Sequence, residues 1–389
     1  MPSGVQLPGN GETIGLQQQV ARLQALLEAS RQVHATVREE EVLEQVLRIV
    51  VRELEMEGAA FPGTGQTYGD VEMEEAAAEL LPRYPLEDRE GGRMTELVVA
   101  TPGGRALTLY EADFLEGLAL QAAVALENVR NHKRNIEFAR VQQDLDAARR
   151  IQRSLLPNEL PAIAGYELGF RSDTCYEVGG DYLDILEQPD GSVLMVVADV
   201  AGKGLASAIM STSFRAALRG MAATGLALEE LAARLNQHHW ADGEEARRRY
   251  VTAIFVRLHP EAGTLEVVNA GHNPGILLAP GAPPHIFHAA GPPLGMLPGM
   301  SYQREPRPFP PGARLLLYTD GLTEAFRGDE EFGPDRLLDA FSRCPSQNAG
   351  DILDALWAAI ESFADDGPQG DDMTALLLCR RTGATERPA

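Results

Sequence analysis

The sequence predicts an α+β fold for the region after Pro157 and a long helix in front of it. Short apolar runs separated by Gly, Pro and Asp follow Pro157, and helical patterns interrupt them in groups. Such runs are typical of strands, and grouped helices indicate stacked sheets flanked by helices rather than a doubly wound parallel fold. Before Pro157, the segment from Glu111 to Leu156 contains no proline and keeps an apolar stripe. This pattern predicts one continuous helix of about 45 residues, roughly 65 Å long.

The elements predicted after Pro157 are seven strands and four helices. The strands are Tyr166–Phe170, Asp181–Leu186, Val193–Ala198, Val251–Leu258, Thr264–Val268, Arg314–Thr319 and Ala375–Leu378, and the helices cover about 203–222, 227–240, 334–343 and 349–364.

The region before the long helix predicts a small α/β domain. Apolar residues recur at helical spacing over residues 14–30 and over Glu39–Glu55. A glycine-rich stretch around Pro62 is interpreted as irregular, and Glu96–Ala100 and Ala106–Tyr110 are interpreted as short strands. The long helix itself has two interpretations. It is a plain amphipathic helix on its own domain, or a linker that pairs with the same helix of a second chain to form a homodimer.

Composition narrows the class of protein. The chain has 389 residues, which fits two or three domains, and a formal net charge of −23, which makes nucleic acid and anionic lipid poor partners. Its three cysteines are widely spaced and odd in number, so neither a disulfide framework nor a cysteine zinc site is predicted. No signal peptide pattern opens the sequence, and no apolar run is long enough for a membrane helix. We therefore expect a cytoplasmic protein.

Aspartates stand at the ends of four predicted strands. Asp181 follows two glycines, Asp199 ends a very apolar strand, Asp320 ends another, and Asp371–Asp372 precede the last. A single Asp beside Gly is usually a turn residue. Four such positions in one domain favour convergence at a sheet edge, where carboxylates would repel one another without a cation among them.

The expected cation is Mg²⁺ or Mn²⁺. These ions prefer oxygen ligands, and the eight histidines are scattered without zinc spacing. The Gly202-Lys203-Gly204 segment lacks the full pattern of a phosphate-binding P-loop.

Six motifs in order carry a family resemblance. They are Gln152-Arg153-Ser154-Leu155-Leu156-Pro157, Gly179-Gly180-Asp181-Tyr182-Leu183-Asp184, Ala198-Asp199-Val200-Ala201-Gly202-Lys203-Gly204, Asn269-Ala270-Gly271-His272-Asn273-Pro274, Tyr318-Thr319-Asp320-Gly321-Leu322-Thr323-Glu324 and Gly370-Asp371-Asp372-Met373-Thr374. With them the chain resembles bacterial serine phosphatases of the PPM superfamily, in the SpoIIE-type, RsbU-like branch.

The resemblance implies two antiparallel sheets packed as a sandwich with helices outside, and a centre of two Mn²⁺ or Mg²⁺ ions at one edge. It implies that Asp199 bridges both ions, that Asp181 and the carbonyl of Val200 complete one site, and that Asp320 and Asp371 hold the other. Asp372 is left open, because related enzymes vary there. In its Gly-His-Asn-Pro loop, His272 is expected to shape the rim of the site by hydrogen bonding rather than to act as a general acid.

The N-terminal half is similar to a GAF-type sensor domain, with a degenerate middle. Its alternative is a dimerisation or partner-binding module without a small ligand. The expected organisation is a GAF-like regulatory domain at 1–123, a linker helix at 124–157, the phosphatase domain at 158–381 and a tail at 382–389.

The function implied is a metal-dependent phosphatase acting on phosphoserine or phosphothreonine. The resemblance points to a phosphorylated STAS-domain protein, an anti-sigma factor antagonist, as substrate, and to an upstream activator at the N-terminal domain. Two alternatives stay open. A nucleotidyl cyclase would use the Gly-Gly-Asp segment but leaves Asp199, Asp320 and Asp371 unexplained, and a non-catalytic signalling scaffold would use the acidic domain only to bind.

Overall fold

A computed structural model describes residues 10–71, 81–157, 159–365, 367 and 369–383. The chain divides into two compact units, Met1–Val141 and Gln142–Ala389. Most of the tail predicted at 382–389 lies outside the described residues.

The first unit is a four-stranded antiparallel sheet with helices. Its strand order is β2-β1-β4-β3. The elements are α1 (Asn10–His34), α2 (Glu39–Glu53), β1 (Gly58–Phe61), β2 (Gln66–Gly69), β3 (Arg83–Glu87), β4 (Arg93–Ala100) and the start of α3 (Leu109–Leu155).

The core of the first unit forms where the apolar faces of α2 and α3 meet this sheet. Val46 and Leu47 of α2, Phe61 of β1 and Leu115 of α3 are all fully buried in one cluster. Acidic residues fill the first turn of α2, where the partial positive charge of the helix N-terminus favours them.

Two sequence-based expectations in this unit are wrong. The glycine-rich stretch around Pro62 is not irregular, because β1 and β2 pair there as a hairpin in which Phe61 faces Gln66. Residues Ala106–Tyr110 are not a strand, because α3 already begins at Leu109. The long helix itself is confirmed and has 47 residues.

The second unit contains two five-stranded antiparallel sheets. One has the order β12-β9-β8-β7-β6 and the other β11-β10-β13-β16-β5. The strands are β5 (Tyr166–Asp173), β6 (Tyr182–Glu187), β7 (Val193–Val200), β8 (Val251–His259), β9 (Thr264–Ala270), β10 (Gly275–Leu278), β11 (His285–Phe287), β12 (Glu305–Pro308), β13 (Arg314–Tyr318) and β16 (Met373–Arg380), with a small separate hairpin of β14 (Phe326–Arg327) and β15 (Glu330–Glu331).

The helices cover the outer faces of these sheets. They are α4 (Leu205–Ala222), α5 (Leu228–Ala241), α6 (Glu244–Arg248), α7 (Gly333–Arg343) and α8 (Ala349–Ala364).

Three apolar clusters hold the four layers together. One lies between the sheets and contains Met195, Leu315 and Leu376; a second joins α4 and α5 to the first sheet, and a third joins α7 and α8 to the second. Central strands such as β7 are buried on both faces, which explains their continuous apolar sequence. The predicted α-β-β-α sandwich is confirmed.

No helix in the described ranges has the combination of length and low charge needed to cross a membrane.

Candidate metal centre

Two of the predicted aspartates, Asp181 and Asp199, lie at the same end of the first sheet. Tyr182 of β6 faces Ala198 of β7 in the antiparallel register. Asp181 directly precedes the first of these residues and Asp199 directly follows the second, so both carboxylates stand at one edge.

Two further aspartates, Asp320 and Asp371, lie at one end of a strand pair in the second sheet. Tyr318 of β13 faces Ala375 of β16, and the Thr319 N–H donates to the Thr374 carbonyl at 2.9 Å. Asp320 follows β13 in a short 3-10 turn, and Asp371 lies two residues before β16 begins. Each sheet thus presents acids at the edge where its paired strands end.

A threonine joins the two sheets at this edge. The Thr319 hydroxyl donates to Asp181 Oδ2 at 2.8 Å, although the strands next to these residues belong to different sheets. Its position immediately before Asp320 is the only sequence signal that it carries. Asp181, Asp199, Asp320 and Asp371 are all partly exposed, so solvent reaches the group they form.

Asp372 contacts the backbone and differs in this from Asp371, the predicted metal ligand beside it. It is buried, and its two carboxylate oxygens accept the backbone N–H groups of Cys175 at 2.8 Å and of Gly180 at 2.9 Å. Asp372 therefore fixes the Gly179-Gly180 loop that carries Asp181, which the sequence did not reveal.

Neighbouring atoms leave no room for a side chain at either glycine of this loop. A Cβ on Gly180 would stand 2.8 Å from the Val200 carbonyl oxygen and 3.0 Å from Asp199 Oδ1. A Cβ on Gly179 would stand 2.0 Å from Asp372 Oδ2. The loop backbone consequently lies directly against the groups predicted to hold metal.

Burial and mutual repulsion raise the pKa values of three of these acids. Burial raises the pKa of Asp181 well above its usual value, with further contributions from the charges of Asp199 and Asp372. Burial, followed by the charges of Asp320, Asp371 and Asp372, raises the pKa of Asp199 to about 7. Burial and then Asp371 raise the pKa of Asp320. A nearby cation would relieve this repulsion.

Comparison with known proteins places this unit in a family. Residues 189–381 match the family profile described as stage II sporulation protein E (SpoIIE). This region is a SpoIIE-family domain. The match contains Asp199, Asp320 and Asp371 and begins after Asp181.

Curated relatives of the SpoIIE-family domain include phosphatases. Phosphoserine phosphatase RsbP of Bacillus subtilis (strain 168) is 27% identical over 243 residues, covering 61% of this chain and 58% of that protein. Protein IcfG of Synechocystis is 26% identical over 263 residues, covering 61% of this chain and 41% of that protein. The chain thus spans between 41% and 58% of the length of these two relatives.

A solved structure has the same fold. The SiaA-PP2C domain of Pseudomonas aeruginosa superposes with a TM-score of 0.56 at 24% identity, covering 62% of this chain and 98% of that chain. The SpoIIE-family domain therefore has the fold of a PP2C phosphatase domain.

The donor chemistry of the site fits a divalent metal. Carboxylates and a backbone carbonyl are the oxygen ligands that Mg²⁺ and Mn²⁺ prefer. Within the described ranges, no three carboxylate, imidazole or thiolate groups are already arranged as a ligand set. The charges of Asp320 and Asp371 nonetheless act on Asp199, which places these carboxylates close to one another.

Lys203 contacts one of these acids. Its Nζ lies 2.8 Å from Asp371 Oδ2 and donates to the Gly370 carbonyl at 2.8 Å. The hydrogen bond to Asp371 raises the pKa of Lys203. Lys203 therefore neutralises one predicted metal ligand of the SpoIIE-family domain.

Gln152 of α3 clamps the same loop from the other side. Its Nε2 donates to the Gly179 carbonyl at 2.7 Å, and its Oε1 accepts the Gly179 N–H at 3.1 Å. Gln152 belongs to the first sequence motif, but nothing in the sequence alone identifies its partner.

His272 is buried next to a strand of the first sheet. Its Nδ1 is 2.8 Å from the Thr252 hydroxyl, and its backbone N–H donates to Asn269 Oδ1 at 2.8 Å. Burial lowers the pKa of His272 to about 3, so the imidazole is neutral at pH 7. Thr252 faces Asp199 across the strand pair, so His272 braces the strand beside the predicted ligand.

Asp184 does not join the aspartate group. It is fully buried in β6, and Arg219 of α4 binds it with two hydrogen bonds of 2.6 and 2.8 Å. Tyr182 contacts the same carboxylate through its hydroxyl. The second acid of the Gly-Gly-Asp-Tyr-Leu-Asp motif therefore anchors a helix to the sheet.

Proposed function

We propose that this chain is a metal-dependent protein serine/threonine phosphatase of bacterial signal transduction. The observation that carries the proposal is the gathering of Asp181, Asp199, Asp320 and Asp371 at one edge of a SpoIIE-family sandwich. The raised pKa values of Asp181, Asp199 and Asp320 are those expected of buried carboxylates that lie close to one another.

The proposed ligands follow from the family pattern. Asp199 would hold both of two Mn²⁺ or Mg²⁺ ions, Asp181 and the Val200 carbonyl one of them, and Asp320 and Asp371 the other. Such a pair of ions lowers the pKa of a bound water and offsets charge on phosphoryl oxygens. Hydrogen bonds within the chain keep the carboxylates in place. The Thr319 hydroxyl donates to Asp181, and Asp372 accepts the Gly180 N–H of the glycine loop.

The proposal is tested by Asp199→Asn. We expect it to abolish Mn²⁺-dependent hydrolysis of p-nitrophenyl phosphate and to weaken Mn²⁺ binding measured by calorimetry, because the amide removes one negative charge from the site. EDTA should also abolish turnover of the unmodified protein, and added Mn²⁺ should restore it. Asp335→Asn, on the surface of α7, is the matched control and should behave as the unmodified protein. Turnover by Asp199→Asn at saturating Mn²⁺ would refute the role of Asp199.

The proposed substrate is phosphoserine or phosphothreonine on a STAS-domain anti-sigma factor antagonist in the cytoplasm. This rests on the family resemblance and on relatives such as RsbP, which is named a phosphoserine phosphatase. Accumulation of phosphosites in cells that lack the enzyme, measured by mass spectrometry, tests the identity of the substrate.

The N-terminal part is proposed to be regulatory. In this proposal residues 1–123 form a GAF-like domain that receives an activator, 124–157 are a linker through which two chains pair, and 158–381 are the catalytic domain. Sedimentation of the full chain at micromolar concentration should give a dimer. A monomer would contradict pairing through the linker.

A further inference from the structure

A cleft of about 480 Å³ opens beside the aspartates of the second sheet. Gly321, which follows Asp320, and Gly370, which precedes Asp371, both line it. Its other walls come from α8, from the short strand β14 and from the start of β16. The cleft therefore lies next to the site proposed for phosphate hydrolysis.

The floor of the cleft is apolar. Trp357 and Ile360 of α8 and Met373 of β16 line it and are otherwise buried. Phe326 of β14 lines it as well, and half of its surface is exposed. An exposed phenylalanine at the edge of an apolar cleft is a feature of binding surfaces, where a partner removes it from water.

One wall of the cleft is acidic. Asp173 and Glu361 line it, and Asp354 lies nearby on the same helix as Glu361. Arg171 forms an ion pair with each of these three carboxylates. The distances are 3.0 Å to Asp173, 3.7 Å to Asp354 and 3.9 Å to Glu361. Among these four described side chains the charge is negative, so the rim favours a cationic group on whatever binds.

Asp173 is a fixed part of this wall. Its Oδ2 accepts the Trp357 indole N–H at 2.7 Å, and its backbone carbonyl accepts Gln369 Nε2 at 2.9 Å. Gln369 also donates to the Asp371 carbonyl at 2.7 Å. One hydrogen-bonded chain therefore connects the tryptophan of the cleft floor to a predicted metal ligand.

We propose that this cleft binds the polypeptide segment next to the phosphorylated residue of the protein substrate, with an apolar side chain on the floor and a basic side chain at the acidic rim. The proposal rests on the proposed phosphatase function. An extended chain advances about 3.3 Å per residue, so a segment whose phosphoserine lies at the aspartates reaches the cleft within a few residues. The volume suits one or two side chains rather than a folded domain.

The test uses the full-length protein with Mn²⁺ and phosphoserine nonapeptides. A Leu-Arg pair is moved through each position of an otherwise alanine peptide, and kcat/KM is compared with that of the all-alanine peptide. We expect one register to be preferred by about ten-fold, which corresponds to about 1.4 kcal/mol. Phe326→Ala should reduce this ratio to near one.

A charge reversal provides the second variant. Glu361→Lys should lower the preference for Leu-Arg and create a preference for Leu-Glu in the same register. Leu297→Ala, which removes a similarly exposed apolar side chain outside the cleft, is the control and should keep the original ratio.

The outcomes separate the two proposals. Absence of any Mn²⁺-dependent turnover of peptides and p-nitrophenyl phosphate would overturn the phosphatase function. Turnover of all peptides at equal kcat/KM, or a register preference that Phe326→Ala and Glu361→Lys leave unchanged, would overturn the cleft proposal alone.

Discussion

At the scale of single residues, the site requires a glycine at a position where no side chain fits. Gly180 lies so close to the Val200 carbonyl and Asp199 that a methyl group would have to displace one of them. We expect Gly180→Ala to reduce kcat with p-nitrophenyl phosphate by at least about ten-fold, because small displacements of catalytic groups are costly. The control is Gly220→Ala on α4, where a Cβ would meet no atom within 4 Å. Equal activity of both variants would show that the glycine loop tolerates a side chain.

Lys203 is the second residue whose effect can be measured directly. Its ammonium neutralises Asp371, so a divalent ion that binds there must displace it. Lys203→Met should therefore tighten Mn²⁺ binding several-fold, because it removes a competing cation and leaves the site more negative. Calorimetric titration of the protein without substrate measures this. Lys133→Met on α3 is the control. Weaker binding by Lys203→Met would mean that the lysine organises the site instead of competing for it.

At the scale of elements, the start of α3 is a capping box. The Thr108 N–H donates to Glu111 Oε2 at 2.7 Å, and the Glu111 N–H donates to the Thr108 hydroxyl at 3.2 Å. Hydrogen bonds from Arg105 are the main cause that lowers the pKa of Glu111 from 4.5 to about 2. A carboxylate with a depressed folded-state pKa adds stability above its unfolded pKa, and that stability is lost as the pH falls from about 4.5 towards 2.

Glu111→Gln tests this cap. At pH 7 we expect a loss of about 1 to 2 kcal/mol, less than the pKa difference alone would give, because the Arg105 side chain is 43% exposed and water screens the pair. The loss should shrink below pH 4. Thermal unfolding across pH, with Glu116→Gln on the same helix as control, measures it. A loss that is the same at pH 3 and pH 7 would exclude the ionic contribution.

The same helix shows what a sequence can and cannot predict. Its existence follows from the apolar stripe and the absence of proline, and the Thr-x-x-Glu pattern at Thr108 would have located its start, which we predicted at Glu111 instead. The β1–β2 hairpin was missed because its strands have only four residues each, which is too short for a periodic signal. Seven of the ten strands in the two five-stranded sheets were predicted, whereas β10, β11 and β12, with only three or four residues each, were missed for the same reason.

For the site, the sequence predicted which acids lie together but not what holds them. Asp181 and Asp199 could be placed at one edge, since the end of a buried strand is readable from its apolar residues. The contacts of Thr319, Asp372 and Gln152 could not be predicted, because each partner lies at least 27 positions away along the chain and periodicity carries no information on such pairs.

At the scale of the whole molecule, the C-terminal end of the long helix contacts the loop that carries a proposed metal ligand. Gln152, near its C-terminal end, forms two hydrogen bonds with the backbone of Gly179, two residues before Asp181. A change in the position of this end of the helix would therefore move the loop that carries Asp181, a predicted metal ligand. This contact gives the proposed regulation a specific residue to test.

Gln152→Ala should release the glycine loop without touching any proposed ligand. Each lost hydrogen bond is worth about 1 kcal/mol, so we expect a roughly ten-fold or greater rise in the Mn²⁺ concentration needed for half-maximal activity. Gln152→Glu should be intermediate, because a carboxylate still accepts the Gly179 N–H but cannot donate to its carbonyl. Gln143→Ala, exposed on the same helix, should match the unmodified protein. If Gln152→Ala lowers thermal stability but leaves the Mn²⁺ dependence unchanged, the helix supports the fold at this point and does not set the metal site.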